Sequence, residues 1–425
     1  METPKLNHNE IFITETGSKN DAEKYAVYAP FAGVILQVSE HDVFRLENAG
    51  DYPEDQQLQE MLKTLSKKSE KELLKIIQWN DISEITIHLN HLCNFSCSYC
   101  YSAKGRSNKS IDRDKLFAAL SGFIDRKRTE IEKIKLVFSG GGDPLMSFSL
   151  LKEVIEFSEK RGKEQGFNID YNIVTNGTLL SPAFIDLVKR FHISLVISFD
   201  VLEDVQNRQR GKYKKVCEGI NYLIENGIYP GIRSTITRLN VHRMEEMVYE
   251  MVSKFPALGG IAFEPVLNPS LFADAFQLVA YYNAFIDHYF KAAELGSDFQ
   301  LYVGNTVVLD AETCKERACL SKFTLTPEGE ITACSRISSS KEDYYEYFRY
   351  GAIGEKGELI IDSKKLERIM QNNVYAYLEC SSCIAKWHCG GGCLLARYCN
   401  NPEYFDCYCD FVRKMTVKSL LNQIK

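Results

Sequence analysis

The sequence predicts an α/β chain, and three observations carry that expectation. Between residues 82 and 310, six strand-like runs alternate with amphipathic helical stretches. Ahead of them, residues 1–81 read as a small α+β module. After them, from 311 to 425, the alternation stops while cysteine and glycine rise. A length of 425 residues suits two or three domains with a sizeable core.

In the first module, Tyr25–Tyr28 and Val34–Val38 are strand-like and are joined by Pro30-Phe31-Ala32-Gly33, which has turn chemistry. Two helical stretches follow. The second runs from about Gln57 to Gln78, with Leu58, Met61, Leu62 and Leu65 on one face, and between Lys67 and Lys75 it alternates lysine with Glu70 and Glu72 as a solvated face does. The six strand candidates are 84–89, 135–138, 171–174, 195–198, 231–235 and 260–263. Leu116, Leu120, Phe123 and Ile124 mark one intervening helix, and Leu151, Val154 and Ile155 another. A third opens at Ser181 as N-cap with Pro182 in its first turn. Repeated strand-then-helix units make a parallel sheet with helical crossovers, either an open doubly wound layer or a partial barrel. Both place their sites at the C-terminal ends of the strands. The last segment has few long apolar runs, so bound metal is expected to supply much of its stability.

Composition narrows the function classes. Hydrophobic residues at 45% and charged residues at 25% are ordinary for a globular protein. A formal net charge of −6, with no basic stripe, argues against a nucleic-acid binder. No apolar run is long enough to span a bilayer, and Met1-Glu2-Thr3-Pro4-Lys5 lacks the apolar core of a secretory signal, so no membrane partner and a cytoplasmic location are expected. Fourteen cysteines in a reducing compartment point to metal rather than disulfides. Their clustering agrees, since between Cys100 and Cys314 only Cys217 occurs.

Cys93, Cys97 and Cys100 fall in the loop that would leave the first strand of the alternating region. Three thiolates hold only three irons of a [4Fe-4S] cluster, leaving the fourth open for chemistry. A structural zinc site is the alternative, with His91 available as fourth ligand. The second strand ends in Ser139-Gly140-Gly141-Gly142-Asp143-Pro144, the third in Thr175-Asn176-Gly177-Thr178, and the fourth in Ser198-Phe199-Asp200, with Arg210 following. These motifs, one per strand end, resemble those of the radical S-adenosylmethionine (SAM) enzymes.

That resemblance implies a partial (β/α)6 TIM-like barrel over residues 82–310. It implies that Cys93, Cys97 and Cys100 hold a catalytic [4Fe-4S] cluster whose open iron is chelated by the amino and carboxylate groups of S-adenosyl-L-methionine. It places Tyr99 near adenine and Gly141, Gly142 and Asp143 near the methionine amino group. Asp143 stands where the family has a longer Glu. Asn176, Ser198, Asp200 and Arg210 complete the implied cofactor pocket. The implied chemistry is one-electron cleavage to methionine and a 5′-deoxyadenosyl radical that removes hydrogen from an unactivated carbon.

Farther on, Cys380-Ser381-Ser382-Cys383 is followed by Cys389-Gly390-Gly391-Gly392-Cys393, and upstream Leu325–Ala333 reads as strand, turn and strand ending at Cys334. This resembles the SPASM domain, an extension with two auxiliary [4Fe-4S] clusters found in radical enzymes that act on peptides. By that resemblance one auxiliary cluster would use Cys314, Cys319, Cys334 and Cys393. The other would use Cys380, Cys383, Cys389 and a late cysteine taken as Cys409, with Cys407 and then Cys399 as alternatives. Cys217 reads as a buried apolar residue on a helix. Zinc is again the alternative, since paired Cys-x2-Cys motifs commonly bind it.

The resemblance leads to an oxidoreductase-like maturase of a ribosomally made precursor peptide, forming a thioether, a C–C or C–O cross-link, or an epimer. Residues 1–81 would grip the leader segment or merely cap the barrel, and flavodoxin or ferredoxin would donate electrons. Two other readings stand beside it. Anaerobic sulfatase maturases share the core and extension but are expected to carry Asp after the ligand at 334, where this chain has Ser335. A non-catalytic iron-sulfur or zinc-binding adaptor is the other.

Overall fold

A computed structural model describes residues 10–66, 78–307, 314–319, 322–399 and 401–424. Of Asp21 and Cys399 it describes the backbone alone, so Cys399 as an alternative ligand falls outside the described side chains, as do residues 67–77 of the expected second helix.

The first module is an antiparallel sheet of β1 (Phe12–Glu15), β2 (Tyr25–Ala29) and β3 (Val34–Val38). The Pro30–Gly33 turn closes β2 onto β3, with Gly33 at φ 64°, a left-handed conformation that glycine adopts freely. Helices Glu40–Glu47 and Gln56–Leu65 follow. Ser39 and Asp42 form a reciprocal capping box on the first, and Asp55 caps the second. Val27, Val38, Leu46, Leu58 and Leu62 make a small core of their own. The hairpin and the helix start match the sequence expectation. The strand β1, only four residues long, was not anticipated.

All six expected strands are present: β4 (Glu84–Ile87), β5 (Lys133–Phe138), β6 (Asn168–Thr175), β7 (Ser194–Ser198), β8 (Gly231–Ile236) and β9 (Gly260–Pro265). A seventh, β10 (Tyr302–Gly304), adds to the edge. These strands pair in parallel and in chain order. Sequential order with right-handed crossovers puts the helices on one face, which is the connectivity of a partial barrel rather than of a doubly wound layer.

The Cys-rich segment joins the same sheet. β11 (Phe323–Leu325) pairs in parallel with the free edge of β4, and β12 (Glu330–Thr332), β13 (Arg349–Ile353) and β14 (Leu359–Ile361) continue antiparallel. At this seam the Phe323 ring lies 5.1 Å from Trp79 and 5.0 Å from Phe123, while the Arg128 guanidinium covers the Phe123 ring at 4.2 Å. Aromatic burial of this kind fixes the two parts in register. The last helix, Pro402–Gln423, packs on the long helix Ala275–Asp298, with Phe411 stacked on Tyr282 at 4.3 Å. The first module docks on the Cys-rich segment: Phe12 and Tyr28 share a cluster with Val374, Trp387 and Leu420, and Phe31 meets Trp387 at 4.5 Å. No described helix is long and apolar enough to cross a membrane.

Candidate functional site

The loop leaving β4 carries Cys93, Cys97 and Cys100, and neighbouring strand ends hold it. At the end of β5, Gly142 N donates to the Asn90 carbonyl (2.9 Å) and Asp143 N to the Leu92 carbonyl (2.7 Å). A Cβ on Gly142 would stand 1.9 Å from the Leu92 oxygen, so the glycine is required for the chain's own approach to the residues just before Cys93. Asp143 is likewise engaged by the chain. Its carboxylate accepts from Thr175 Oγ1 (2.9 and 3.0 Å), Asn176 N (2.8 Å) and Leu145 N (3.0 Å). Burial raises its pKa, and these bonds, with Arg210, oppose the shift. Gly141, at φ 65°, would bring a Cβ within 2.7 Å of the Asn90 carbonyl.

From the end of β6, Asn176 Nδ2 donates to Asn94 Oδ1 (2.9 Å), and Asn94 Nδ2 donates to Thr178 Oγ1 (2.9 Å). Thus the residue after Cys93 is tied to the third strand end. From β7, the fully buried Asp200 accepts from the Tyr99 hydroxyl (2.8 Å), Gln209 Nε2 (3.1 Å) and Thr235 N (3.2 Å). Arg210 Nη1 donates to the same Tyr99 hydroxyl at 2.9 Å. Burial alone would lower the Arg210 pKa, but Tyr99, Asp200 and Cys97 around it raise it overall. Burial raises Asp200 as well, opposed by Arg210 and Tyr99. Ser198 ends β7 opposite Arg233.

Two guanidinium groups therefore face the thiols. Burial pushes the Cys97 and Cys100 thiols up, and Arg210 pulls both back. Arg106, which no motif marked, donates from Nη2 to Cys100 Sγ at 3.3 Å. Its buried Nη1 has no hydrogen-bond partner, nor does Arg210 Nε. Buried cations with unpartnered N–H groups beside three thiols suit an anionic sulfur group and an anionic ligand. His91 is not available to such a group, because its ring nitrogens meet Ser107 Oγ (3.1 Å) and the Ser338 carbonyl (3.0 Å).

The Cys-rich segment assembles its thiols into two groups. In the first, burial and then Cys393 push Cys334 up to about 12, with Cys319 adding, and burial with Cys393 pushes Cys319 to about 11. In the second, burial followed by Cys409, Cys383 and Cys380 pushes Cys389 to about 12. Cys409 rises to about 11 through burial, within reach of Cys380 and Cys383. Cys407 instead lies among Glu403, Asp406 and Asp410 and near Tyr282. Cys314, expected in the first group, stands elsewhere: its Sγ donates to the Pro30 carbonyl in the hairpin turn at 3.3 Å. Cys217 is partly buried against the core and interacts with Tyr213.

Tyr101 connects the two regions. It is 43% exposed, and its charge neighbours come from both sides: Cys100 and Arg233 from the parallel-sheet region, Cys334 and Arg336 from the Cys-rich segment. The Arg336 guanidinium lies 5.2 Å from its ring centre. His88, just past β4, is wholly buried between these parts. Neither ring nitrogen makes a well-formed hydrogen bond, although the Ser139 and Ser335 backbones lie close, and burial lowers its pKa to about 3. Asn94, Tyr101 and Arg106 were missed in sequence. Asn94 and Tyr101 had the one available signal, adjacency to a ligand-type cysteine.

Residues 87–252 match the sequence profile of the Radical SAM superfamily, and they form a radical SAM domain. The chain is 22% identical over 373 residues to the radical SAM cyclopropyl synthase TigE of Paramaledivibacter caminithermalis, covering 81% of this chain and 75% of that protein. It is 22% identical over 342 residues to a cysteine-type anaerobic sulfatase-maturating enzyme of Clostridium novyi, covering 73% of this chain and 87% of that enzyme. Among solved structures, native anSMEcpe with bound AdoMet superposes with a TM-score of 0.63 at 15% identity, over 80% of this chain and 100% of that one. Streptococcus suis SuiB bound to precursor peptide SuiA gives 0.52 at 12% identity, over 93% and 97%. At these identities the two structures show the shared fold.

Proposed function

We propose that this chain is a radical SAM maturase that modifies a ribosomally made precursor peptide, with residues 311–425 as a SPASM domain. The observation that carries the reading is the second set of thiols, two groups of which the first approaches the Cys93 loop where Cys334 and Cys100 both lie near Tyr101. Cys93, Cys97 and Cys100 would hold the catalytic [4Fe-4S] cluster, Cys319, Cys334 and Cys393 one auxiliary cluster, and Cys380, Cys383, Cys389 and Cys409 the other. The donor sets fit this better than zinc. Thiolates on one zinc lie at ~2.3 Å from it and so within ~4 Å of one another. Among the described residues no three Cys, His, Asp or Glu side chains are placed to hold a single ion. Thiolates that bind different irons of a cluster need not converge in that way.

If bound there, the cluster and S-adenosylmethionine would supply one-electron radical chemistry. The chain's own residues do the rest. Arg106 and Arg210 offset the negative charge of the thiolates. Asn94, Asn176 and Thr178 fix the loop, and Tyr99 ties Asp200 to Arg210. Tyr101, Arg233 and Arg336 line the way between the radical thiols and the first auxiliary group. An external donor such as flavodoxin or ferredoxin would supply electrons.

SuiB, which shares the fold, is described with a bound precursor peptide. In this chain β3 pairs with β2 alone among the described strands, so its outer edge offers backbone groups to an added strand. In this reading it takes the leader segment. Sulfatase maturation is the second reading, favoured by the long match to the Clostridium novyi enzyme and opposed by Ser335.

The test begins with iron analysis, where three four-iron clusters give about twelve irons per chain. Reduced protein with S-adenosylmethionine should release 5′-deoxyadenosine, and a candidate precursor peptide should lose two hydrogens on cross-linking or keep its mass on epimerisation. Modification of a sulfatase peptide alone would favour the second reading. Absence of deoxyadenosine would leave the adaptor.

A further inference from the structure

Between Cys97 and Arg106 the chain makes three turns in succession. Cys100 N donates to the Cys97 carbonyl (3.2 Å), Ala103 N to the Cys100 carbonyl (3.2 Å) and Arg106 N to the Ala103 carbonyl (3.3 Å). Bonds of this i to i+3 kind fold a chain back on itself. Here they return the Arg106 guanidinium to Cys100, where Nη2 donates to Sγ at 3.3 Å. The Cys-rich segment holds the same loop. Lys104 pairs with Asp343, and a Cβ on Gly105 would stand 2.9 Å from Ser339 Cβ, so the two backbones lie close together.

The two guanidinium groups beside the thiols differ in how their charge is met. Arg210 bonds the Tyr99 hydroxyl, which donates to the fully buried Asp200, and Asp200 supports the Arg210 charge directly. Arg106 has no such counterion. Among the described residues Asp143 is the one carboxylate that bears on its charge, and the oxygens of Asp143 are taken by Thr175, Asn176 and Leu145. The buried Nη1 of Arg106 has no hydrogen-bond partner. A guanidinium keeps its proton in proteins. The pocket therefore holds one positive charge without a close counterion, bonded to a cysteine sulfur.

We propose that Arg106 is a positioning residue that raises the reduction potential of the cluster on Cys93, Cys97 and Cys100, through its N–H bond to the Cys100 sulfur and its uncompensated charge. This rests on the radical SAM reading above. The step it favours is the entry of one electron from a flavodoxin- or ferredoxin-type donor. The donor is oxidised by one electron and the cluster becomes more negative by one charge, with no bond made or broken and no proton moved. Hydrogen bonds to cluster sulfurs and the charge around them set such potentials. A charge-assisted donor in a buried site stabilises the more negative state more strongly, so Arg106 eases reduction.

The test is a potentiometric titration of the full chain, reconstituted without oxygen and followed by electron paramagnetic resonance. The signal that changes shape on adding S-adenosylmethionine belongs to the first cluster. Arg106→Gln keeps an N–H donor and loses the charge, whereas Arg106→Lys keeps the charge and loses the planar fork. Both should retain about twelve irons per chain. Arg106→Gln should move the oxidised-to-reduced ratio of the first cluster about tenfold at fixed potential, a fall of ~59 mV for one electron. Arg106→Lys should recover part of that fall, and the auxiliary signals should stay in place. Unchanged midpoints in both variants overturn the proposal and leave the radical reading intact. An equal fall in every signal also overturns it, because a general loosening of the fold would do the same. A chain with no signal responsive to S-adenosylmethionine sinks the radical reading itself. If the variants take up no iron, the unmutated chain labelled with nitrogen-15 arginine decides. Arg106 is the one arginine bonded to a cysteine sulfur among the described residues. Electron spin echo measurements should therefore find an arginine nitrogen coupled to the reduced first cluster, and its absence overturns the proposal.

Discussion

The thiols of the Cys93–Cys100 loop and those of the Cys-rich segment are positioned by different means. The first three come from eight consecutive residues and are braced by a buried polar network reaching the ends of β5, β6 and β7. The other seven come from positions between 319 and 409. Four of them, Cys380, Cys383, Cys389 and Cys393, sit in or beside the short helices Leu378–Cys380, Lys386–Cys389 and Leu394–Cys399, of three, four and six residues, while Cys409 lies on the long helix Pro402–Gln423. The short helices have little stability of their own. The contrast is between a first site preorganised by protein and a second whose local framework is short and which, on the proposed reading, would draw shape from bound metal.

Four changes and one chelation test that contrast, and the first two should have the largest effects. Cys93→Ala should abolish 5′-deoxyadenosine formation, as measured by chromatography of the quenched reaction, and full cleavage would end the radical reading. Cys383→Ala should retain cleavage uncoupled from substrate but lose peptide modification, as read by mass spectrometry. Chelating the iron should then separate the two regions in hydrogen exchange. Amides of residues 378–399 should lose protection while β5 to β8 keep theirs, and equal loss in both would erase the distinction.

Smaller effects come from the polar seam. His88 has a folded pKa of about 3, below the ordinary ~6.5 of an unfolded histidine. The unfolded chain therefore takes up a proton first as pH falls. Stability is whole above pH ~6.5 and declines toward pH ~3, by up to roughly 4 kcal/mol. His88→Asn should flatten that part of a denaturation series between about pH 7 and about pH 4. Smallest is Tyr99→Phe, which removes the hydroxyl shared by Asp200 and Arg210. A loss of about 1–3 kcal/mol in chemical denaturation is expected, because two buried charged groups lose a partner.

The strands β4 to β9 were legible because each is a local run of apolar and β-branched residues followed by a helical period. β10 was not, since three residues show no period, and β11, though read as a strand, gave no sign of its pairing with β4, which is set by a partner far along the chain. Cys93, Cys97 and Cys100 were readable from spacing. Gly142 and Asp143 were readable as special positions, but the partners they meet, Leu92 and Thr175, emerged only on folding. Arg106 gave no signal, because its burial depends on a thiol six residues earlier and a carboxylate at 143. Cys314 and Cys319 look equivalent in sequence, and only the docking of the first module tells them apart.

The parallel pairing of β11 with β4 has a consequence for how the molecule can be divided. His88 N donates to the Leu325 carbonyl at 2.9 Å, so the strand that launches the cysteine loop completes its hydrogen bonding with the Cys-rich segment. Cutting the chain after the seventh parallel strand would strip that edge and uncover Trp79 and Phe123 together. A bare, apolar edge recruits strands from other chains. The isolated radical domain should therefore be recovered as aggregate, and the C-terminal segment acts as the cover that keeps it monodisperse.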